Sequence, residues 1–242
     1  MAAPDLSGIV VPMPFPGRFI GGITLILGPL VWLAGFALRY YATETVLPLP
    51  QREWAARQEF AAPGQLAAYV ADPALLTASF ALFAAGAALL FPAFVALAQL
   101  VRTQLAYWGA TLVVVGLFAR FYFAGADQTA FRLTEPLGLG TTTNAVMSQY
   151  VDIAYGPWLV PVMCSVGQYA GTLVLAVAAW RSGYFGIWRS LLLLASGTTW
   201  VGVLKASTLP DVAVTVLMCV VLVPVGVRLL RVGAGYSHPT PA

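Results

Sequence analysis

The residues with the most chemical reach lie close together at positions 119–132, in the run Ala-Arg-Phe-Tyr-Phe-Ala-Gly-Ala-Asp-Gln-Thr-Ala-Phe-Arg. Arg120, Asp127 and Phe131 recur at helical spacing with the small Ala124 between them, so one helix sets them on a single stripe. Counted from Gln104 at about 1.5 Å per residue, Arg120 falls in the outer hydrocarbon of a membrane helix and Asp127 near its boundary. Ionisable groups at that depth are costly, and they normally face a bundle interior or a wet cavity. The stripe has a structural reading, in which the pair ties helices together or Asp127 reaches headgroup water. It also has a functional one, in which Asp127 and Arg120 act on a ligand.

A second cluster, at residues 149–158, contains Tyr150, Asp152, Tyr155 and Trp158. Pro157 breaks or kinks the helix there and Gly156 eases the bend. Asp152 is then left at the mouth of a span, as a cap, an interface residue or a second acid. Glu44, which follows Arg39, Tyr40 and Tyr41, is placed to join the same side. With Phe121 and Tyr122, these clusters set carboxyl groups among aromatic rings. A carboxylic acid in an apolar cavity tends to stay protonated, because desolvation opposes its charged form. Aromatic faces attract a passing carbocation. The combination suits protonation of an alkene or epoxide followed by cyclisation, a general acid reaction without metal. The same residues would equally hold a lipid with no reaction at all.

Absent motifs narrow the chemistry further. There is no DDxxD-like aspartate pair for diphosphate–magnesium prenyl transfer, no GxSxG elbow and no HExxH motif. Cys164 and Cys219 each lie in an apolar run without a CxxC partner and read as small buried hydrophobes. The single histidine, His238, sits in the polar tail, leaving none for haem ligation, a metal site or Ser–His catalysis within a membrane. No metal and no cofactor is expected.

The elements that position these residues follow from composition. Of 242 residues, 60% are apolar and only 9% charged, against about 25% charged in soluble domains. So few charges cannot cover a chain of this size in water, so it reads as an all-α, polytopic transmembrane helix bundle. About six spans are expected, at residues 19–38, 74–101, 104–133, 153–180, 187–204 and 212–227. Residues 1–18 form an N-terminal cytoplasmic segment, 19–231 the bundle with an outer loop at 42–73, and 232–242 a cytoplasmic tail. The first span is not flanked like a signal peptide and is expected to stay. Residues 51–69 are expected to form a surface helix, either a plain amphipathic strut or a lid. Gly167 and Gly171 form a GxxxG pair suited to helix packing.

Orientation follows from arginine. One side gathers Arg18, Arg102, Arg181, Arg189, Arg228 and Arg231, and the other gathers Glu44, Glu53, Glu59, Asp72, Glu135 and Asp211 with fewer cations. By the positive-inside rule both termini are cytoplasmic in a cell membrane. The formal charge of +3 is too small and scattered for nucleic-acid binding. The inner halves of the spans carry almost no charge, which argues against a proton-coupled exporter and favours a one-sided cavity.

The segment 120–131 and the small all-helical size resemble small actinobacterial membrane proteins, a group that includes membrane terpene cyclases of the drimentine type. The resemblance implies proton-initiated cyclisation of a farnesylated, hydrophobic substrate without metal. Where that pattern has a histidine beside the aromatic pair and another after the aspartate, this chain has Tyr122-Phe123 and Gln128, so only Asp127 carries over as the acid. The expectation is a membrane terpene cyclase with Asp127, Asp152 and Arg120 as catalytic residues. Phe121, Tyr122, Phe131, Tyr150, Tyr155, Trp158 and Glu44 would bind the prenylated substrate. The alternative is a non-catalytic lipid-binding or resistance/immunity membrane protein, with a proton-coupled exporter less favoured.

Overall fold

The computed structural model describes residues 14–199 and 202–234. The expected cytoplasmic segment up to residue 13 lies outside the described residues, as does the tail beyond residue 234 with His238. The regular elements of the described residues are all helices: α1 (Gly17–Thr45), α2 (Leu49–Ala56), α3 (Ala62–Ala71), α4 (Pro73–Val101), α5 (Gln104–Leu137), α6 (Leu139–Ser148) and α7 (Tyr150–Tyr155). A 3-10 turn (Pro157–Leu159) then leads into α8 (Val160–Arg181), α9 (Ile187–Ser196) and α10 (Leu209–Ala234). Five helices are long and apolar enough to cross a membrane: α1, α4, α5, α7–α8 taken together, and α10.

Neighbouring long helices pack in the order α10–α1–α4–α5–α8, and α9 closes the circle by touching both α8 and α10. Consecutive long helices in this circle are antiparallel. Gly21 meets Ala96 and Gly35 meets Phe83 across α1 and α4, while Gly22 meets Leu230 across α1 and α10. The reversal between α4 and α5 takes only two residues. Arg102 caps α4 in the left-handed region at φ 57°, and Thr103 caps α5 by accepting from the Ala106 N–H at 3.1 Å. At the far end of α4, Asp72 caps with a 3.0 Å bond from the Leu75 N–H, and Pro73 fills the first helical position. Thr208 and Asp211 make a reciprocal capping pair at the start of α10, with Asp211 Oδ2 accepting from the Thr208 N–H at 2.9 Å.

The α5–α8 seam depends on glycine. A Cβ on Gly171 would lie 2.6 Å from both the Gly109 carbonyl oxygen and the Val113 nitrogen, so only a bare backbone fits. The packing reading of the GxxxG pair holds at Gly171, while Gly167 has only ordinary contacts.

Three expectations change. Residues 51–69 do not form one surface helix but parts of α2 and α3. In α3 Pro63, Gly64, Gln65, Leu66, Ala68 and Tyr69 are buried, because this stretch is apolar on every side and the bundle takes it in. The first span runs on to Thr45, which draws Arg39 inside the helix and into the core. The span expected at 187–204 stays helical only to Ser196. The Gly197-Thr198-Thr199 run that follows favours leaving the helix.

Substitution at the seam gives a direct check. Gly171→Val forces α5 and α8 apart and is expected to cost at least about 1–3 kcal/mol, the scale of core overpacking. Gly125→Ala, at an exposed helical glycine with no atom near its Cβ position, should be neutral or gain up to about 1 kcal/mol. Thermal unfolding in detergent, followed by circular dichroism, reports both.

Candidate functional site

Between Ser196 and Leu209 the described residues, 197–199 and 202–208, are not helical. Gly197, Thr199, Val203, Leu204 and Ser207 in this interval are buried. Backbone polar groups in an apolar interior require partners, and several helices send one side chain each. Tyr169 of α8 donates its hydroxyl to the Thr199 carbonyl at 3.0 Å, and Tyr150 of α7 to the Val203 carbonyl at 2.9 Å. The Leu204 N–H donates to Asp127 Oδ1 of α5 at 2.6 Å. Arg39 Nε of α1 donates to the Ser207 hydroxyl oxygen at 2.6 Å.

Two buried guanidinium groups anchor this arrangement. Arg39 is 2% exposed. Its guanidinium carbon lies 5.2, 5.1 and 5.0 Å from the ring centroids of Phe36, Phe80 and Phe83, a three-ring cage of cation–π contacts. Arg120 is fully buried, donates from Nη2 to Gln168 Oε1 at 2.6 Å and is hydrogen-bonded to Tyr169. Asp127, 3% exposed, therefore faces the bundle interior as its cost in lipid requires. The tie between Arg120 and Asp127 is not seen: among the described residues the ion pairs are Arg52–Glu44, Arg57–Glu53, Arg132–Glu135 and Lys205–Asp211. Arg120 turns to α8, Asp127 turns to Leu204, and the cation whose field reaches Asp127 is Arg39.

Two cavities border the non-helical interval. The first, about 260 Å³, is lined chiefly by Phe60, Phe123, Tyr150, Ala154, Tyr155 and Gly202, with Val151, Val162 and Ser165 completing its wall. The second, about 480 Å³, lies beneath α2 and α3 and reaches Ala206. Phe60 belongs to both and lies tilted against Tyr150 with ring centroids 4.3 Å apart, so this ring pair stands between them.

The expected site residues disperse. Tyr150 and Tyr155 line the first cavity and Glu44 the second. Phe131 is buried elsewhere in the core, stacked on Tyr69 at 4.6 Å and edge-on to Phe80 at 5.0 Å. Tyr122 is half-buried and donates its hydroxyl to the Ile153 carbonyl at 2.9 Å, bracing α7. Phe121, Asp152 and Trp158 face outward. Trp158 is 95% exposed because it takes φ 58° in the Pro157–Leu159 turn, where Pro157 stops the helix.

Arg39, Gln168, Tyr169 and Gln65 went unrecognised in the sequence. Arg39 looks like an interfacial stop at the end of an apolar run, and Tyr169 like one more aromatic in a span. The glycine and threonines at 197–199, with the polar residues at 205–208, were the available signal that this stretch would need partners.

Changing Asp127 separates shape from charge. Asp127→Ala strands the buried Leu204 N–H and is expected to lower stability by about 1–3 kcal/mol, whereas Asp127→Asn keeps an acceptor of the same shape and should cost markedly less. Equilibrium unfolding in detergent compares them, and equal losses would mean that charge rather than the hydrogen bond holds the segment. Comparisons with models of protein families, with curated proteins and with solved structures found no match, so the reading of this site stands on its geometry.

Proposed function

We propose that the protein is a six-crossing membrane protein with both termini cytoplasmic, which takes a hydrophobic, prenyl-type molecule from the bilayer into the cavity between α5, α7 and α8. The observation that carries this reading is the cavity wall. Phe60, Phe123, Tyr150 and Tyr155 supply aromatic faces, and the exposed Val151 and Tyr155 border an opening on the side of the bundle. At about 260 Å³ the space falls just below the usual range of about 300–1,000 Å³ for ligand sites. It suits a single apolar chain better than a bulky conjugate, whose head would remain outside.

The sixth crossing is α9 with the interval that follows it. Ten helical residues rise about 15 Å, and the non-helical residues described after them, at up to about 3.3 Å each, can finish the passage of a core about 30 Å thick. The bond from Arg39, near the end of α1, to Ser207 supports arrival at the opposite face. Cysteines introduced as Gly183→Cys and Thr208→Cys, in a background lacking Cys164 and Cys219, would test this with a membrane-impermeant maleimide. Labelling in intact cells is expected at position 208 and not at 183. Equal labelling would remove the crossing.

Cyclisation is a second reading, favoured by the position of Asp127 one helical turn beyond the wall residue Phe123 and bonded to Leu204, two residues from the wall residue Gly202. In that reaction the Asp127 carboxylic acid protonates the terminal alkene, an internal alkene closes the ring on the resulting cation, and loss of a proton restores the acid. A photoreactive farnesyl probe distinguishes the readings. It is expected to label residues around α7 and the start of α8, with labelling at least about tenfold weaker in Ala154→Trp, which fills the cavity. Labelling that ignores this substitution would contradict the binding site. Conversion of a farnesylated aromatic acceptor to a cyclic product, lost by about 10²- to 10⁴-fold in Asp127→Asn, would establish the chemistry. Labelling without conversion would leave a binding protein.

A further inference from the structure

The second cavity is built differently from the first and has its own chemistry. Its wall carries Glu44, Glu53 and Glu59 against one cation, Arg52, with Leu47, Leu49 and Phe60 as apolar surface. Arg52 is already engaged, since it lies 3.4 Å from the Glu44 carboxylate and also donates to the Glu44 carbonyl. Glu53 faces the highly exposed Arg57 at 3.9 Å, an ion pair of small worth.

Gln65 supplies an independent observation. It lines this cavity, is only 1% exposed, and its Oε1 has no hydrogen-bond partner among the described residues. The orientation of its amide is fixed by logic. The Thr43 hydroxyl donates to the Arg39 carbonyl at 2.9 Å, so its oxygen can only accept from Gln65, at 3.2 Å, which requires the Gln65 NH₂ on that side. The unpaired atom is therefore an acceptor, and a buried acceptor calls for a donor. Arg52 Nε is a further wall atom without a partner among the described residues, and it is a donor.

We propose that this cavity binds a compact organic ammonium compound with an apolar flank. Its N–H group donates to Gln65 Oε1, the carboxylates of Glu53 and Glu59 balance its charge, and Phe60, Leu47 and Leu49 cover its hydrocarbon. An oxygen on the same ligand would meet Arg52 Nε. The site shares the Phe60 ring with the prenyl cavity, but its polar groups are its own and the proposal does not rest on prenyl binding.

The full-length protein in neutral-lipid nanodiscs is titrated by calorimetry with 2-phenylethylammonium, and with 2-phenylethanol and phenylacetate as neutral and anionic counterparts. Saturable binding is expected for the cation alone. Gln65→Leu keeps the approximate shape, removes the acceptor and should weaken binding about tenfold or more. The double substitution Glu53→Gln with Glu59→Gln, at exposed positions that should not disturb folding, should weaken it similarly. Absence of saturable cation binding would overturn the proposal. So would equal binding of all three compounds, or unchanged binding in the glutamate variant.

Discussion

A stretch of backbone that is neither helix nor strand, buried among apolar helices, must find partners for its peptide groups, and this requirement organises the bundle. Residues 197–199 and 202–208 impose it. Water would answer it in a soluble protein, whereas in a bilayer only side chains from neighbouring helices can. Asp127, Tyr150 and Tyr169 meet it from α5, α7 and α8, and Arg39 of α1 adds a bond to the Ser207 hydroxyl. The depth at which each polar residue sits is thus set by the peptide group it serves. This explains polar side chains that a lipid-facing helix would not tolerate.

Holding cations so deep requires its own compensation. Arg39 has three aromatic faces around its guanidinium, and Arg120 has Gln168 and Tyr169. Networks of this kind rigidify an interior when they are satisfied and are costly when broken. The same segment also borders both cavities, through Gly202 on one side and Ala206 on the other. The walls of both cavities therefore include residues of the segment that the buried network holds in place.

The helical class and most of the long apolar helices were legible, because long charge-poor runs leave few alternatives. The start and end of α4 and the start of α5 fall within a residue of the expected 74–101 and 104, at positions where Asp72 and Thr103 cap the helices locally. The break at Gly156-Pro157 was equally legible, since proline acts on its own chain. The failures came where a distant partner decided the outcome. Hydropathy carries Ile187 on through Leu204, yet the helix ends at Ser196, where side chains from three other helices take over the backbone bonds. The inward position of Asp127 could be argued from the cost of a charge in lipid, but its partner could not. Arg120 and Asp127 share a stripe, and spacing alone suggests a pair, whereas packing with α8 and with residue 204 separates them. Phe121 and Trp158 were chosen by residue type, and type does not say which way a ring faces.

The Leu204 amide tests most directly whether side chains hold the non-helical segment. Residue-resolved hydrogen exchange in detergent or nanodiscs should find it strongly protected in the unmodified protein, since it is buried and bonded to Asp127 Oδ1 at 2.6 Å. In Asp127→Ala the same amide should exchange far faster, while amides in the middle of α4 keep their protection. Rapid exchange at Leu204 in the unmodified protein, or protection unaltered by loss of the carboxylate, would contradict the central role given to that bond.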